Sequence, residues 1–284
     1  MAKIVALVDG SVYAKSVCGY ASWLALRTGS PVELLHVLGR RETQTVPSDL
    51  SGSIALGART SLLAELSALD EQRAKLAQKR GRAVLDDGKA AIEAAGVEQV
   101  TVKLRIGDLV DTVTEYESDA DLIVIGKRGE AADFAKLHLG SNMERVARSS
   151  PKPVFVASRA FKPVERFMIA YDGGTSSMKA VDHVARSPIF AGLRCRLVTV
   201  GANSDETRKR LADAEAILRG AGYDVEGFIS QGQPDVVLTQ FVEDGNIDLL
   251  VMGAYGHSRI RNLIIGSTTS EMIRSCKVPI LLFR

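Results

Sequence analysis

Two glycine clusters carry the spacing best suited to chemistry. Near the C-terminus stands Gly253-Ala-Tyr-Gly256, then nine residues, then Gly266-Ser267-Thr268. An apolar run, Asp248-Leu-Leu-Val-Met252, precedes it, and a helix-like stretch from Thr269 to Cys276 follows. Earlier in the chain the device recurs as Gly126-Lys-Arg-Gly129, ten residues, then Gly140-Ser141-Asn142. Strand, glycine loop and helix start together make an anion cradle. Glycine lets backbone N–H groups approach an anion closely, and the helix N-terminus adds a favourable dipole. The expected ligand chemistry is phosphate.

Each cluster also admits a structural role. Thr268 with Glu271, and Ser141 with Glu144, have capping-box spacing. Capping and phosphate contact can coexist, because a helix start has several unpaired N–H groups. Glu271 near that terminus would weaken anion affinity by about 1 kcal/mol. Asp9 and Asp172 each precede a glycine at the end of an apolar run. They fit a turn, and equally a ligand contact at the carboxyl end of a strand. His257 follows the second glycine, with Arg259 and Arg261 close behind. It can be a phosphate partner able to change charge near neutral pH, or an idle loop residue.

The elements that must position these residues appear twice, in the same order. Ile4-Val-Ala-Leu-Val-Asp9 matches Phe167-Met-Ile-Ala-Tyr-Asp172, and Glu33–Val37 matches Arg196–Val200. Asp121–Gly126 matches Asp248–Gly253, and Pro153–Ala157 matches Pro279–Phe283. The strands are short, continuous apolar runs, as expected where helices cover both faces of a parallel sheet. Helical segments between them, such as Arg208–Arg219, end in glycine stops. Each half therefore reads as a doubly wound α/β unit of about five strands. The boundary falls between Ser158 and Val164, giving domains at 1–160 and 161–284. The short linker predicts that the two units pack together. A further homodimer could form through apolar edge strands at Val154–Ala157 or Ile280–Phe283.

The offset between matched residues falls from 163 at Asp9/Asp172 to 126 at Gly96/Gly222. The first half thus holds 37 additional residues, within roughly 40–80. Residues 40–53 are polar and read as a loop. From Leu56 to Gly96 the pattern is an extended amphipathic helix, with Gly81 and Gly88 as candidate bends. Leu62, Leu66, Leu69 and Leu76 share one face, while Arg73, Lys75, Lys79 and Arg80 fall on others. The stripe either packs on the other half or docks an unknown protein partner.

Composition narrows the function classes. Charged residues are 25% of the 284, and the net charge is +2. That balance gives no field suited to nucleic acid or a membrane surface. Aromatic content of 5% offers little for base stacking. Cys18, Cys195 and Cys276 are far apart and show no CxxC spacing, which fits buried thiols in a reducing, cytoplasmic setting. No apolar run reaches the ~18 residues of a membrane span. No His/Cys/carboxylate spacing suggests a structural metal.

With these motifs in order, the chain resembles the universal stress protein family. The resemblance rests on a strand ending in Asp-Gly, on Gly-x-x-Gly-x9-Gly-Ser-Thr before a helix, and on the closing Val278-Pro-Ile-Leu-Leu282 strand. It covers nearly the whole chain as a tandem of two such domains. It implies a Rossmann-like, adenine-nucleotide α-hydrolase-like fold, ATP as ligand, dimer-like pairing of domains and a role in stress survival. Carried over, Asp172 would meet adenine or ribose and Val200 would meet adenine through its backbone. Gly253, Gly256, His257, Gly266, Ser267 and Thr268 would hold ribose and phosphates. Mg2+ or Mn2+ would enter only through those phosphates. The first half offers Asp9, Val37, Gly126, Gly129, Gly140, Ser141 and Asn142. It departs from the family spacing by one residue. Lys127 and Arg128 in that loop could compensate by charge or block the cleft by bulk.

Catalysis is less well marked. No GxxxxGK[ST] loop and no GxSxG elbow occurs. The glycine loop follows the fourth strand of each half, whereas a dinucleotide fingerprint follows the first. The reading is an ATP-binding regulatory protein of stress response. A nucleotide-independent scaffold and a slow ATPase are the alternatives.

Overall fold

A computed structural model describes residues 3–39, 56–129, 141–254 and 266–284. The polar segment 40–53, Gly140, Gly256, His257, Arg259 and Arg261 lie outside the described residues. The first half contributes β1 (Lys3–Leu7), α1 (Ala14–Thr28), β2 (Val32–Leu38), α2 (Leu56–Ala94), β3 (Val100–Ile106), α3 (Leu109–Tyr116), β4 (Ala120–Gly126), α4 (Ser141–Ser149) and β5 (Val154–Ala157). The second contributes β6 (Arg166–Ala170), α5 (Thr175–Arg186), β7 (Arg194–Val200), α6 (Asp205–Gly220), β8 (Val225–Ser230), α7 (Pro234–Asp244), β9 (Leu249–Gly253), α8 (Ser267–Ser275) and β10 (Ile280–Phe283).

Among the described residues the strands form one sheet in the order β3-β2-β1-β4-β5-β10-β9-β6-β7-β8. Every neighbouring pair is parallel except β5 and β10, which run antiparallel with Leu281 opposite Phe155. The order reads the same from either end, so the halves are related by an approximate two-fold through that seam. The apolar strands Val154–Ala157 and Ile280–Phe283 are therefore not edges open to a second chain. They pair with each other inside the molecule, and a homodimer through them is ruled out. The outer strands are β3 and β8, which carry Lys103, Arg105 and Glu226. Charges on edge strands discourage further pairing.

Alternating side chains feed two cores, one on each face of the sheet. Phe155, Ala157, Phe167, Leu281 and Phe283 join one core with α1, α5 and α6. Val154, Val156, Ile280 and Leu282 join the other, against Met143 and Val146 of α4 and Met272 and Ile273 of α8. Both cores thus cross the seam.

Polar contacts cross the seam in both directions. Arg284 Nη1 donates to the carbonyls of Arg148 (2.9 Å) and Ser149 (3.2 Å) at the C-terminus of α4. Reciprocally, Lys127 Nζ donates to the carbonyl of Cys276 at the C-terminus of α8. Each helix end has unpaired carbonyls and the negative pole of a dipole, so a cation from the opposite half satisfies both. Lys127 is only 8% exposed. Burial pulls its ammonium down to about 8, against a smaller opposing pull from Cys276. A folded-state value below the unfolded one means that the unfolded chain binds more protons between pH 8 and 10.5. This group's contribution to stability therefore rises with pH across that window. The three buried cysteines are shifted up and act in the opposite sense at high pH. Comparison with Lys127→Met isolates the lysine. Denaturant unfolding at pH 7.5 and 10 should show wild type gaining about 2–3 kcal/mol relative to the variant.

Helix α2 runs unbroken for 39 residues, about 58 Å. It continues without a break through Gly81 and Gly88. They allow close approach, since a Cβ on Gly81 would lie 2.8 Å from His36 and Leu104, and one on Gly88 3.2 Å from Cys18 and Leu34. Gly81, Leu85, Gly88 and Ile92 are buried against β2, β3 and α1 of the same half. The described part of the helix thus packs chiefly on its own half. Among the described residues, no helix is long and apolar enough to cross a membrane.

Candidate functional site

Asp172 follows β6, Val200 ends β7 and Gly253 ends β9, so three neighbouring strands deliver them to one carboxyl edge. The chain reverses its winding between β6 and β9. Such a switch point opens a crevice in an open α/β sheet. A cavity of about 340 Å³ lies there. It is lined by Asp172, Val200, Gly253, Gly266, Ser267 and Thr268, six of the eight residues singled out in this half. Gly256 and His257, the other two, lie outside the described residues.

The carboxylate of Asp172 is held by its own loop. Oδ1 accepts from the Gly174 N–H (2.8 Å) and from Ser177 Oγ (2.6 Å). Gly173 between them has φ +75°, a conformation that favours glycine. The turn role is therefore real, and it fixes the carboxylate at the cavity wall. Ala170, Val198, Leu238 and Met252 give that cavity an apolar side. Gly253 is needed where β9 meets α5: a Cβ there would lie 2.9 Å from Ser176 Cβ and 3.1 Å from the Ser177 nitrogen.

The capping box read from Thr268 and Glu271 does not form. Gly266 is the N-cap of α8 and Ser267 its first residue, so Thr268 lies two positions too late to cap. The carboxylate of Glu271 instead meets Arg274 at 2.9 Å. Among the described residues no side chain caps this helix start. The Ser270 N–H makes the first intrahelical bond, to Gly266 (2.9 Å). The N–H groups of Ser267, Thr268 and Thr269 precede it, at the positive pole of the helix beside the cavity.

In the first half the same edge brings Asp9 and the glycine loop together. Asp9 Oδ1 accepts from the Ser11 N–H (3.1 Å), and a Cβ on Gly129 would lie 2.9 Å from Asp9 Oδ2. Gly126 ends β4 against Tyr13, 2.7 Å from where its Cβ would stand. Val37 lies in β2, and Asn142 is exposed in the first turn of α4. Ser141 opens α4, with its side chain outside the described residues, while Glu144 pairs with Arg148 at 3.5 Å. Lys127 neither balances charge in this cleft nor fills it, because its side chain crosses to Cys276 of the other half.

Sequence reading missed Ser177, Pro234 and Leu238. Ser177 stands five residues after Asp172, in the first turn of α5. Pro234 is the first residue of α7, just after Gly232 at φ +139°. A proline after a glycine turn marks a helix start, which would have placed α7 beside the cavity.

The comparisons with known proteins agree with this architecture. The model of the "Universal stress protein family" matches residues 1–158 and 199–284. Universal stress protein Slr1230 of Synechocystis sp. is 40% identical over the full length of both chains. A universal stress protein of Archaeoglobus fulgidus has a solved structure that superposes with TM-score 0.70 at 23% identity, covering 99% of this chain and 98% of its own. A putative universal stress protein from Pseudomonas aeruginosa follows at TM-score 0.61 and 14% identity, covering 100% and 93%. The chain belongs to the universal stress protein family.

Proposed function

We propose that residues 161–284 form a domain that binds an adenine nucleotide, ATP in the first instance, and that residues 1–160 form a paired domain with an altered loop. Membership of the family supports a role in stress response. The observation that carries the ligand reading is the 340 Å³ cavity, apolar on one side and edged by the start of α8 on the other. In this reading the base lies against Val198, Val200 and Leu238, Asp172 faces the ribose, and the phosphates take the amides of Ser267, Thr268 and Thr269. A divalent Mg2+ or Mn2+ would be carried by the phosphates. Nucleotide occupancy then acts as a regulatory signal rather than as a step in metabolism.

Titration of the full chain with ATP tests this. Saturable binding below millimolar ATP, to one site per chain, is expected. Absence of saturation at millimolar ATP would overturn the reading.

A further inference from the structure

Upstream of Gly81, α2 has no buried face: among its described side chains Gly81 is the first buried residue, and none between Leu62 and Arg80 is buried. Residues 56–80 extend for about 37 Å. This stretch is not polar. Leu63, Leu69 and Leu76 are 50%, 49% and 67% exposed, and Leu62 and Leu66 are only half-buried.

The spacing on this arm is regular. Leu62, Leu66, Leu69, Arg73, Leu76 and Arg80 follow one another at steps of 4, 3, 4, 3 and 4. That is a heptad seam, so Arg73 and Arg80 continue the leucine face instead of lying off it. The face that packs on the sheet, Gly81-Leu85-Gly88-Ile92, has the same steps but a different phase: the seam would continue at 83, 87 and 90, so the packing face begins two residues before it. Two residues rotate a helix by about 200°. The seam is therefore a second face, separate from the one that holds α2 on its own half.

Charge along the arm is segregated. From Leu62 to Gln72 the charged residues are Glu65, Asp70 and Glu71, all acidic. From Arg73 to Arg82 they are Arg73, Lys75, Lys79, Arg80 and Arg82, all basic. A surface that is acidic at one end and basic at the other is its own complement when turned end for end. Parallel pairing would stack Arg73 on Arg73 and Arg80 on Arg80. Antiparallel pairing centred near residue 71 sets Leu66 against the partner's Leu76 and Leu69 against the aliphatic stem of the partner's Arg73. It also brings Glu65 near the partner's Lys79.

We propose that the projecting arm of α2 pairs with the same arm of a second copy of this chain, as an antiparallel two-stranded coiled coil. The interface is isologous, each half-seam contacting its mate twice. Complementary charge selects the orientation, and the exposed leucines supply the buried area. This pairing is independent of nucleotide binding and leaves both sheet edges untouched.

Sedimentation of the full-length protein over a concentration series tests it. Wild type is expected to pass from monomer to dimer as concentration rises. Leu69→Glu with Leu76→Glu, both at exposed positions, should remain monomeric throughout while keeping the wild-type circular dichroism. Glu65→Lys alone should weaken the dimer about tenfold or more, and adding Lys79→Glu should restore it. Gln72→Cys should give a disulfide-linked dimer under mild oxidation, because the native cysteines are buried. A chain that stays monomeric, a dimer indifferent to the two leucine changes, or a dimer strengthened by Glu65→Lys alone would overturn the proposal.

Discussion

Gly266→Glu is expected to lower ATP affinity about tenfold or more, a loss of about 1.4 kcal/mol or greater. Gly266 has φ −56° and ψ 146°, which any L-residue can adopt, so the backbone need not move. The residue is the N-cap of α8 and lines the cavity. A glutamate there places a carboxylate beside the N–H groups of Ser267 and Thr268. It competes with phosphate for the helix pole and repels it. Far-ultraviolet circular dichroism and the unfolding midpoint should stay near wild type, which separates loss of binding from loss of fold. Affinity unchanged in a folded variant would move the phosphates away from α8.

Phe155→Ala should destabilise the whole chain by about 3–5 kcal/mol. Phe155 is fully buried at the antiparallel seam, opposite Leu281, with its ring centroid 5.1 Å from that of Tyr20. It belongs to a core shared with Phe167, Leu281 and Phe283 of the second half. At about 2–4 °C per kcal/mol, the melting midpoint should fall by about 10 °C. Calorimetry should show a single transition that moves as a whole. Two transitions, with only the lower one shifted, would mean that the halves fold separately despite their common sheet.

Much of the site was legible because its chemistry is local. A strand end, a glycine loop and a helix start are contiguous in sequence, so Gly253, Gly266, Ser267 and Thr268 could be placed from spacing alone. Asp172 followed from its place at a strand end, and Val200 from the family resemblance, with the internal repeat locating the equivalent strand ends. The strands themselves were marked by apolar runs, and α2 by its long helical period. What escaped depends on which surface each residue meets. Val154–Ala157 and Ile280–Phe283 look like free edges one at a time; only the assembled sheet shows that each covers the other. Gly81 and Gly88 read as candidate bends, and their close approach to His36 and Leu34 shows only in the assembled fold. Thr268 has the right residue three positions on to cap a helix, but the helix begins at Ser267 and Glu271 turns to Arg274. Lys127 sits in a phosphate-type loop, yet the carbonyls at the end of α8 claim it. Apart from Glu271, whose partner lies in its own helix, these local patterns met a tertiary partner.

The central claim is that main-chain N–H groups at the start of α8 receive the phosphates of a nucleotide. Amide chemical shifts of the isotope-labelled full-length chain read this directly. Titration with ATP should move the resonances of Gly266, Ser267, Thr268 and Thr269, whereas adenosine should move those of Val198 and Val200 and leave the α8 amides nearly in place. Saturating ATP that leaves those four amides unmoved would contradict the account.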